Sequence, residues 1–92
     1  MSIRPVFIGA SWCAPCKHVR PLFAKAVSDA GLEAEYIDVD ESPDVRTTGV
    51  MMVPTVRVYA ADDPFGDVLA EHRGYATLAQ LRALLERGQA LV

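Results

Sequence analysis

The sequence predicts an α/β fold, with one four-stranded mixed sheet made of a βαβ unit and a ββα unit and with helices on both faces. Three observations carry this. The apolar segments follow the order strand, helix, strand, helix, strand, strand, helix. A Cys-x-x-Cys pair with an internal proline stands where the first strand gives way to the first helix. A breaker-rich turn and a capping box then mark a hairpin followed by a last helix. Ninety-two residues, half of them apolar, suffice for a single domain, 1–92, around one core of modest stability. There are no repeats, linkers or low-complexity tracts.

Residues 3 to 10 read as the first strand. The unbroken run Val6-Phe7-Ile8-Gly9-Ala10 suits burial on both faces, and Arg4-Pro5 fits a strand's beginning. A helix follows from Pro15 to Ala30, with Val19, Leu22, Phe23, Ala26, Val27 and Ala30 on one face. Pro15 belongs in its first turn and Gly31 caps its end. Pro21 inside it removes a backbone bond, which predicts a kink.

Glu35 to Val39 form a second, short strand. Ser42-Pro43 then signals a short helix ending near Gly49. Thr55 to Ala60 alternates as a third strand, Val56, Val58 and Ala60 against Thr55, Arg57 and Tyr59. After the turn Asp62-Asp63-Pro64-Phe65-Gly66, residues Asp67 to His72 return as its hairpin partner. Thr77-x-x-Gln80 opens the last helix, with Leu78, Leu81, Leu84 and Leu85 on its core side and Gly88 closing it.

Cys13 and Cys16 are the only cysteines. A disulfide between them closes a very small ring and removes little entropy from the unfolded chain, which argues against a purely structural role. Two thiols held so close suit reversible bond formation and cleavage. In Trp12-Cys13-Ala14-Pro15-Cys16-Lys17, between a strand and a helix, the pair reads as a redox motif. At a helix N-terminus, free N–H groups and the helix dipole favour a thiolate by roughly 0.3–2 kcal/mol. Cys13 is therefore the candidate nucleophile, attacking a substrate disulfide, and Cys16 the resolving thiol.

The chain resembles the thioredoxin family, over nearly its whole length. The motif is similar to that family's Trp-Cys-Gly-Pro-Cys-Lys, with Ala14 for glycine. Pro21 falls where the family carries a helix proline, Val53-Pro54-Thr55 matches its aliphatic-Pro-Thr, and Gly66 and Gly74 are spaced like the glycines of its last hairpin. Asp40 matches an aspartate near the active-site tryptophan. The resemblance implies a thioredoxin fold, a cis bond before Pro54, and a hydrogen bond from the Trp12 indole to Asp40. It further implies a redox disulfide between Cys13 and Cys16 ringed by Trp12, Ala14, Pro15, Met52, Val53, Pro54, Gly74 and Tyr75. The Val53 backbone would pair with a bound peptide as an added strand, and Met51 and Met52 suit adaptable contacts. By the same resemblance the protein is a monomeric oxidoreductase of electron transport and cell redox homeostasis. It would hold no cofactor, take electrons indirectly from NADPH through thioredoxin reductase or a similar donor, and reduce disulfide-containing proteins.

Three departures stand out. The chain starts at what would be the family's second strand, which also makes it the size of a glutaredoxin. The family's buried aspartate, six residues before the first cysteine, is Phe7 here, and the lysine accompanying it is Tyr36. Deprotonation of Cys16 is thus left to water or to the departing Cys13 sulfur. A glutaredoxin-like protein recharged by glutathione is the alternative, supported by length and by Arg73-Gly74-Tyr75-Ala76-Thr77-Leu78. The Trp-Cys-Ala-Pro-Cys motif counts against it. A second alternative is a binding module whose thiols are incidental.

Plainer readings stand beside these. Phe7, between Val6 and Ile8, also reads as core; Met51 and Met52 also read as core filler, and Asp40 as the end of a strand. His18 and Lys17 read as solvated helix residues, and the leucine stripe as core with no cofactor implied. Zinc needs four ligands. Only His18 and His72 remain to complete a set, His18 is too close to Cys16 for usual spacing, and Pro54 would crowd the ion, so no metal is expected. A net charge of −3 with interspersed signs points to neither nucleic acid nor a membrane surface. The run 6–10 is too short to span a bilayer or to serve as a leader without losing a needed strand. With no export signal and no further cysteines, the cytoplasm is the expected compartment.

Overall fold

The computed structural model describes residues 2–92. Four strands form one sheet in the order β2-β1-β3-β4: β1 (Ile3–Gly9), β2 (Glu35–Asp38), β3 (Thr55–Ala60) and β4 (Ala70–Arg73). Strand β2 runs parallel to β1, with Phe7 opposite Tyr36. Strand β3 is antiparallel to β1, with Phe7 opposite Val56, and β4 is antiparallel to β3. Two helices complete the fold, α1 (Ala14–Asp29) and α2 (Leu78–Gln89).

Being central, β1 and β3 are covered on both sides, and their side chains alternate between two apolar layers. On one side Ile3, Phe7, Val56 and Val58 meet Val19, Phe23, Ala26 and Val27 of α1 and Leu81, Leu84 and Leu85 of α2. Each such buried side chain is worth about 1.5–3 kcal/mol. On the other side Val6, Ile8, Ile37 and Tyr59 pack beneath Val39, Val50 and Val53. Arg57 is buried as well, so both sets of alternating side chains on β3 are covered.

Both α-helices thus share one face. The opposite face carries, in place of the helix expected over Ser42 to Gly49, a single 3-10 turn at Val45–Thr47. Asp44, not Ser42, caps this turn, its Oδ1 accepting from the Arg46 N–H at 2.7 Å. Ser42 is used elsewhere, its hydroxyl oxygen accepting from the Asp38 N–H. The loop is held to the sheet by arginine. Arg46 is buried beneath the Phe65 ring, 4.2 Å from its centre, and pairs with Asp44 and Glu35 at 2.8 Å each. Hydrogen bonds from Arg46 hold the Asp44 and Glu35 carboxyls below their ordinary values, outweighing the upward push of burial. Arg57 donates to the carbonyls of Arg46 and Thr48 and to Glu71.

Other boundaries shift for local reasons. Helix α1 begins one residue earlier than expected, at Ala14, because Cys13 itself is the N-cap. Its C-cap is Ala30, Gly31 follows with φ +68°, and Pro21 lies inside an unbroken helical segment. Strand β4 starts only at Ala70. The capping box of α2 is complete: the Thr77 hydroxyl oxygen accepts from the Gln80 N–H, and Gln80 Oε1 accepts from the Thr77 N–H. Gly88 does not close α2. It lies within the helix, pressed so near β3 that a Cβ there would stand 2.5 Å from Val58 Cγ1. Among the described residues, no helix is long and apolar enough to cross a membrane.

Candidate active site

Cys13 and Cys16 are joined as a disulfide, and both are buried, 3% and 6% exposed. Helix initiation places them. The turn before α1 is closed by a bond from the Cys13 N–H to the Ala10 carbonyl, and Cys13 Sγ accepts from the Cys16 N–H at 3.1 Å. The sulfur therefore takes the capping role usual for Ser or Asp, and that N–H is aimed at the atom that bears the charge when the bond is reduced. Pro15 occupies the first turn, where its lack of an N–H leaves no orphan donor.

The Val53–Pro54 peptide bond is cis, as the resemblance implies, and Pro54 is buried. Val53 packs against the cluster that contains Cys13, Cys16 and Ala76, which brings the segment before Pro54 and the segment after Gly74 to the disulfide. Two bonds fix these segments to each other and to β3. The Gly74 N–H donates to the Pro54 carbonyl at 2.7 Å, and the Thr55 hydroxyl donates to the Met52 carbonyl at 2.8 Å. Gly74 has φ +82°, a conformation that a side chain would strain, and Met52 Sδ is its nearest side-chain neighbour.

Around this disulfide the surface is apolar and open. Trp12 is 67% exposed, Met51 86%, Met52 51% and Tyr75 61%; Ala14 and Pro15 are exposed too. The exposure of both methionines removes their reading as core filler. Trp12 Nε1 donates to Asp40 Oδ2 at 2.6 Å, so Asp40 does more than end a strand. His72 Nε2 donates to the Tyr75 carbonyl at 2.8 Å. His18 and Lys17 are exposed on α1. No group of three or more His, Cys, Asp or Glu side chains suited to a metal ion occurs among the described residues.

Phe7 is indeed core, 4% exposed, but it also borders the site. Its ring lies 5.5 Å from Phe23 and 6.1 Å from Tyr36, and Phe23 meets Tyr36 edge-on at 5.6 Å. The Arg20 guanidinium covers the Tyr36 ring at 4.6 Å. Where the resemblance led to an aspartate and a lysine, three aromatic rings and a stacked arginine stand instead.

Two features escaped the sequence reading. Gly9 touches the site: a Cβ there would stand 2.9 Å from Phe7 Cε1 and 3.2 Å from Cys16 Sγ. A glycine ending an otherwise bulky strand was the available signal. A cleft of about 420 Å³ also reaches Cys16, bordered by Phe7, Tyr36, Asp38 and Glu41, and no local pattern marks it. A larger concavity of about 570 Å³ lies at the far end of α1, between Gly31 and Arg82. It is remote from the sulfurs and lacks their chemistry.

Comparison with known proteins agrees with this geometry. The thioredoxin family model matches residues 6–87. Thioredoxin from Staphylococcus haemolyticus is 31% identical over 70 residues, which is 73% of this chain and 67% of that protein. Thioredoxin-like 3-1, chloroplastic, from Arabidopsis thaliana is 26% identical over 82 residues, 85% of this chain, and this chain spans only 39% of that protein's length. Fasciola hepatica thioredoxin shares the fold, with a TM-score of 0.78 at 22% identity over 95% of this chain and 81% of that one. The chain belongs to the thioredoxin family of dithiol oxidoreductases and carries that family's Cys-x-x-Cys disulfide.

Proposed function

We propose that this member of the thioredoxin family reduces disulfides in other proteins through Cys13 and Cys16. The observation that carries the reading is the capped sulfur: Cys13 Sγ accepts the Cys16 N–H at the start of α1, at the centre of an exposed apolar surface. In the reduced protein the Cys13 thiolate attacks a substrate sulfur, and one substrate thiolate leaves. Cys16 then attacks Cys13, releasing the second substrate thiol and restoring the protein disulfide. Trp12, Ala14, Pro15, Met52, Val53, Gly74 and Tyr75 serve as the docking surface, with the backbone before Pro54 as its strand-pairing edge.

The places of the two sulfurs in the helix support an order of events. At the N-cap, Cys13 has the helix N-terminus to stabilise its anion, whereas Cys16 lies inside the helix, its own N–H donated to the Cys13 sulfur. Trapping tests this order. Cys16→Ser is expected to accumulate a mixed disulfide through Cys13, and a failure to do so shows the roles to be wrong. Replacing both cysteines by serine abolishes a reductase but spares a binding module. Electrons come from NADPH through a thioredoxin reductase, and the compartment is the cytoplasm, where thiol pools keep such a pair cycling. Insulin reduction coupled to NADPH oxidation checks the donor, with thioredoxin reductase in one arm and glutathione plus its reductase in the other. Turnover in the second arm alone assigns the protein to the glutathione-recharged class.

A further inference from the structure

The cleft behind the disulfide has a wall of unusual composition. Its floor is Phe7, Gly9 and the Tyr36 ring, none of which accepts a proton from a thiol, and Cys16 is part of its wall. Charged side chains border it: Lys17 and Arg20 on α1, Asp38 at the end of β2, and Glu41 in the loop that follows. With a volume of about 420 Å³, open to solvent, it has room for several waters. Cys16 is thus buried from the docking side and reached from behind by a polar passage.

Of the groups on that passage, one is suited to receive a proton. Lys17 and Arg20 are cations, and Arg20 is stacked on Tyr36. Asp38 is the poorer base, because its Oδ1 accepts from the N–H groups of Asp40 at 2.8 Å and Glu41 at 3.1 Å, which favours its charged form. Among the described residues the Glu41 carboxylate has neither a hydrogen bond nor an ion pair. The Glu41 backbone is held by its N–H bond to Asp38.

We propose that Glu41, acting through water in this cleft, accepts the Cys16 proton as Cys16 resolves the mixed disulfide. The proposal rests on the resolving role assigned to Cys16 above. In this step the Cys16 proton passes through water to the Glu41 carboxylate, and the sulfur's electron pair forms the bond to Cys13 Sγ. The bond between Cys13 and the substrate sulfur breaks, and its pair leaves with the substrate as a thiolate. Over attack and resolution together the two cysteines lose two electrons and the substrate disulfide gains two. Glu41 then returns its proton to solvent. Lys17 and Arg20 balance the charges of Asp38 and Glu41 along the cleft, and the cations favour the Cys16 thiolate once its proton has left.

Positioned bases typically contribute 10²–10⁴-fold. A carboxylate is a weaker base than the thiolate it serves, and it acts here through water, so about tenfold is expected. Stopped-flow reaction of the reduced protein with 5,5′-dithiobis(2-nitrobenzoate) separates the steps. The first release of nitrothiobenzoate reports attack by Cys13, and the second reports resolution by Cys16. Glu41→Gln is expected to slow the second phase about tenfold between pH 6 and 7.5. The deficit should shrink at higher pH, where Cys16 ionises unaided, and Glu41→Asp should recover part of the rate. A second phase within twofold of the wild type overturns the proposal, as does a slowing that is the same at every pH. Absence of any second phase in the wild-type protein would instead overturn the resolving role of Cys16 itself.

Discussion

Trp12 and Asp40 are joined by a 2.6 Å hydrogen bond across 28 residues of chain, from the indole Nε1–H to a carboxylate oxygen. The bond ties the loop before the disulfide to the loop after β2, so the most exposed aromatic of the docking surface does not swing freely. Both partners are solvated, which limits the bond's worth to fold stability to about 0.5–1.5 kcal/mol. Asp40→Ala is accordingly expected to lower thermal stability little and to raise KM for a protein substrate several-fold with kcat nearly unchanged. Insulin reduction and a thermal melt on the same variant check both halves.

Phe7→Asp restores an acidic group against Cys16. The ring is buried among Phe23 and Tyr36, so removing it costs roughly 3–5 kcal/mol, and an unpaired buried carboxylate adds to that. At a temperature where the variant remains folded, the pH dependence of disulfide reduction is expected to differ from wild type. An identical profile would show that the position has no part in proton handling.

Gly88→Ala tests the contact between α2 and the sheet. Alanine improves helix propensity by about 1 kcal/mol, yet its Cβ would meet Val58 Cγ1 at 2.5 Å and Val58 is fully buried. Overpacking of this kind costs about 1–3 kcal/mol, so a net loss is expected. In a chain of this size it corresponds to a Tm lower by several degrees. Val58→Ala in the same chain should recover part of that clash beyond its own cavity cost, a coupling that a double-mutant cycle measures.

Arg46 makes stability depend on acid. Its hydrogen bonds depress the Glu35 and Asp44 carboxyls below their ordinary values of 4.5 and 3.8. Groups depressed in the folded state stabilise it fully above their unfolded values and lose that contribution as pH falls through the folded ones. Wild-type Tm is therefore expected to drop on acidification from about pH 5 downward. Arg46→Met should lower stability near pH 7 by about 2–3 kcal/mol, less than the roughly 3–5 of a fully buried pair. The partners' side chains are still 32% exposed, which is the reason for the smaller cost. The variant's acid slope should be shallower but not absent. Burial raises the Glu71 carboxyl, yet hydrogen bonds from Arg57 and Arg73 outweigh it and hold this group low as well. Melts from pH 3 to 7.5 decide the matter.

Strong local signals located most of the elements. The uniform apolar run of β1, the α1 periodicity and the Thr77–Gln80 box each depend on near neighbours, and each element forms where its pattern lies. The misread segments are those where a distant partner outweighs a local preference. Ser42-Pro43 has the chemistry of a helix start, but the chain between it and Gly49 is drawn onto the sheet by the Arg46 and Arg57 bonds, leaving one 3-10 turn. Gly88 has the look of a helix stop and is a contact point instead, because the neighbour that needs its missing Cβ is Val58, thirty residues earlier.

The sequence by itself determined the dithiol and its place. Cys13 and Cys16 one turn apart, with proline between them and a strand before, read as a reversible pair at a helix start, because that chemistry lies within six residues. The rest of the site depended on the tertiary structure. Trp12 finds Asp40, Gly74 finds Pro54, and the aromatic layer of Phe7, Phe23 and Tyr36 replaces a titrating pair through contacts among β1, α1 and β2. The passage that brings Glu41 to the rear of Cys16 is a space between elements, and its shape follows from how β1, β2 and α1 pack.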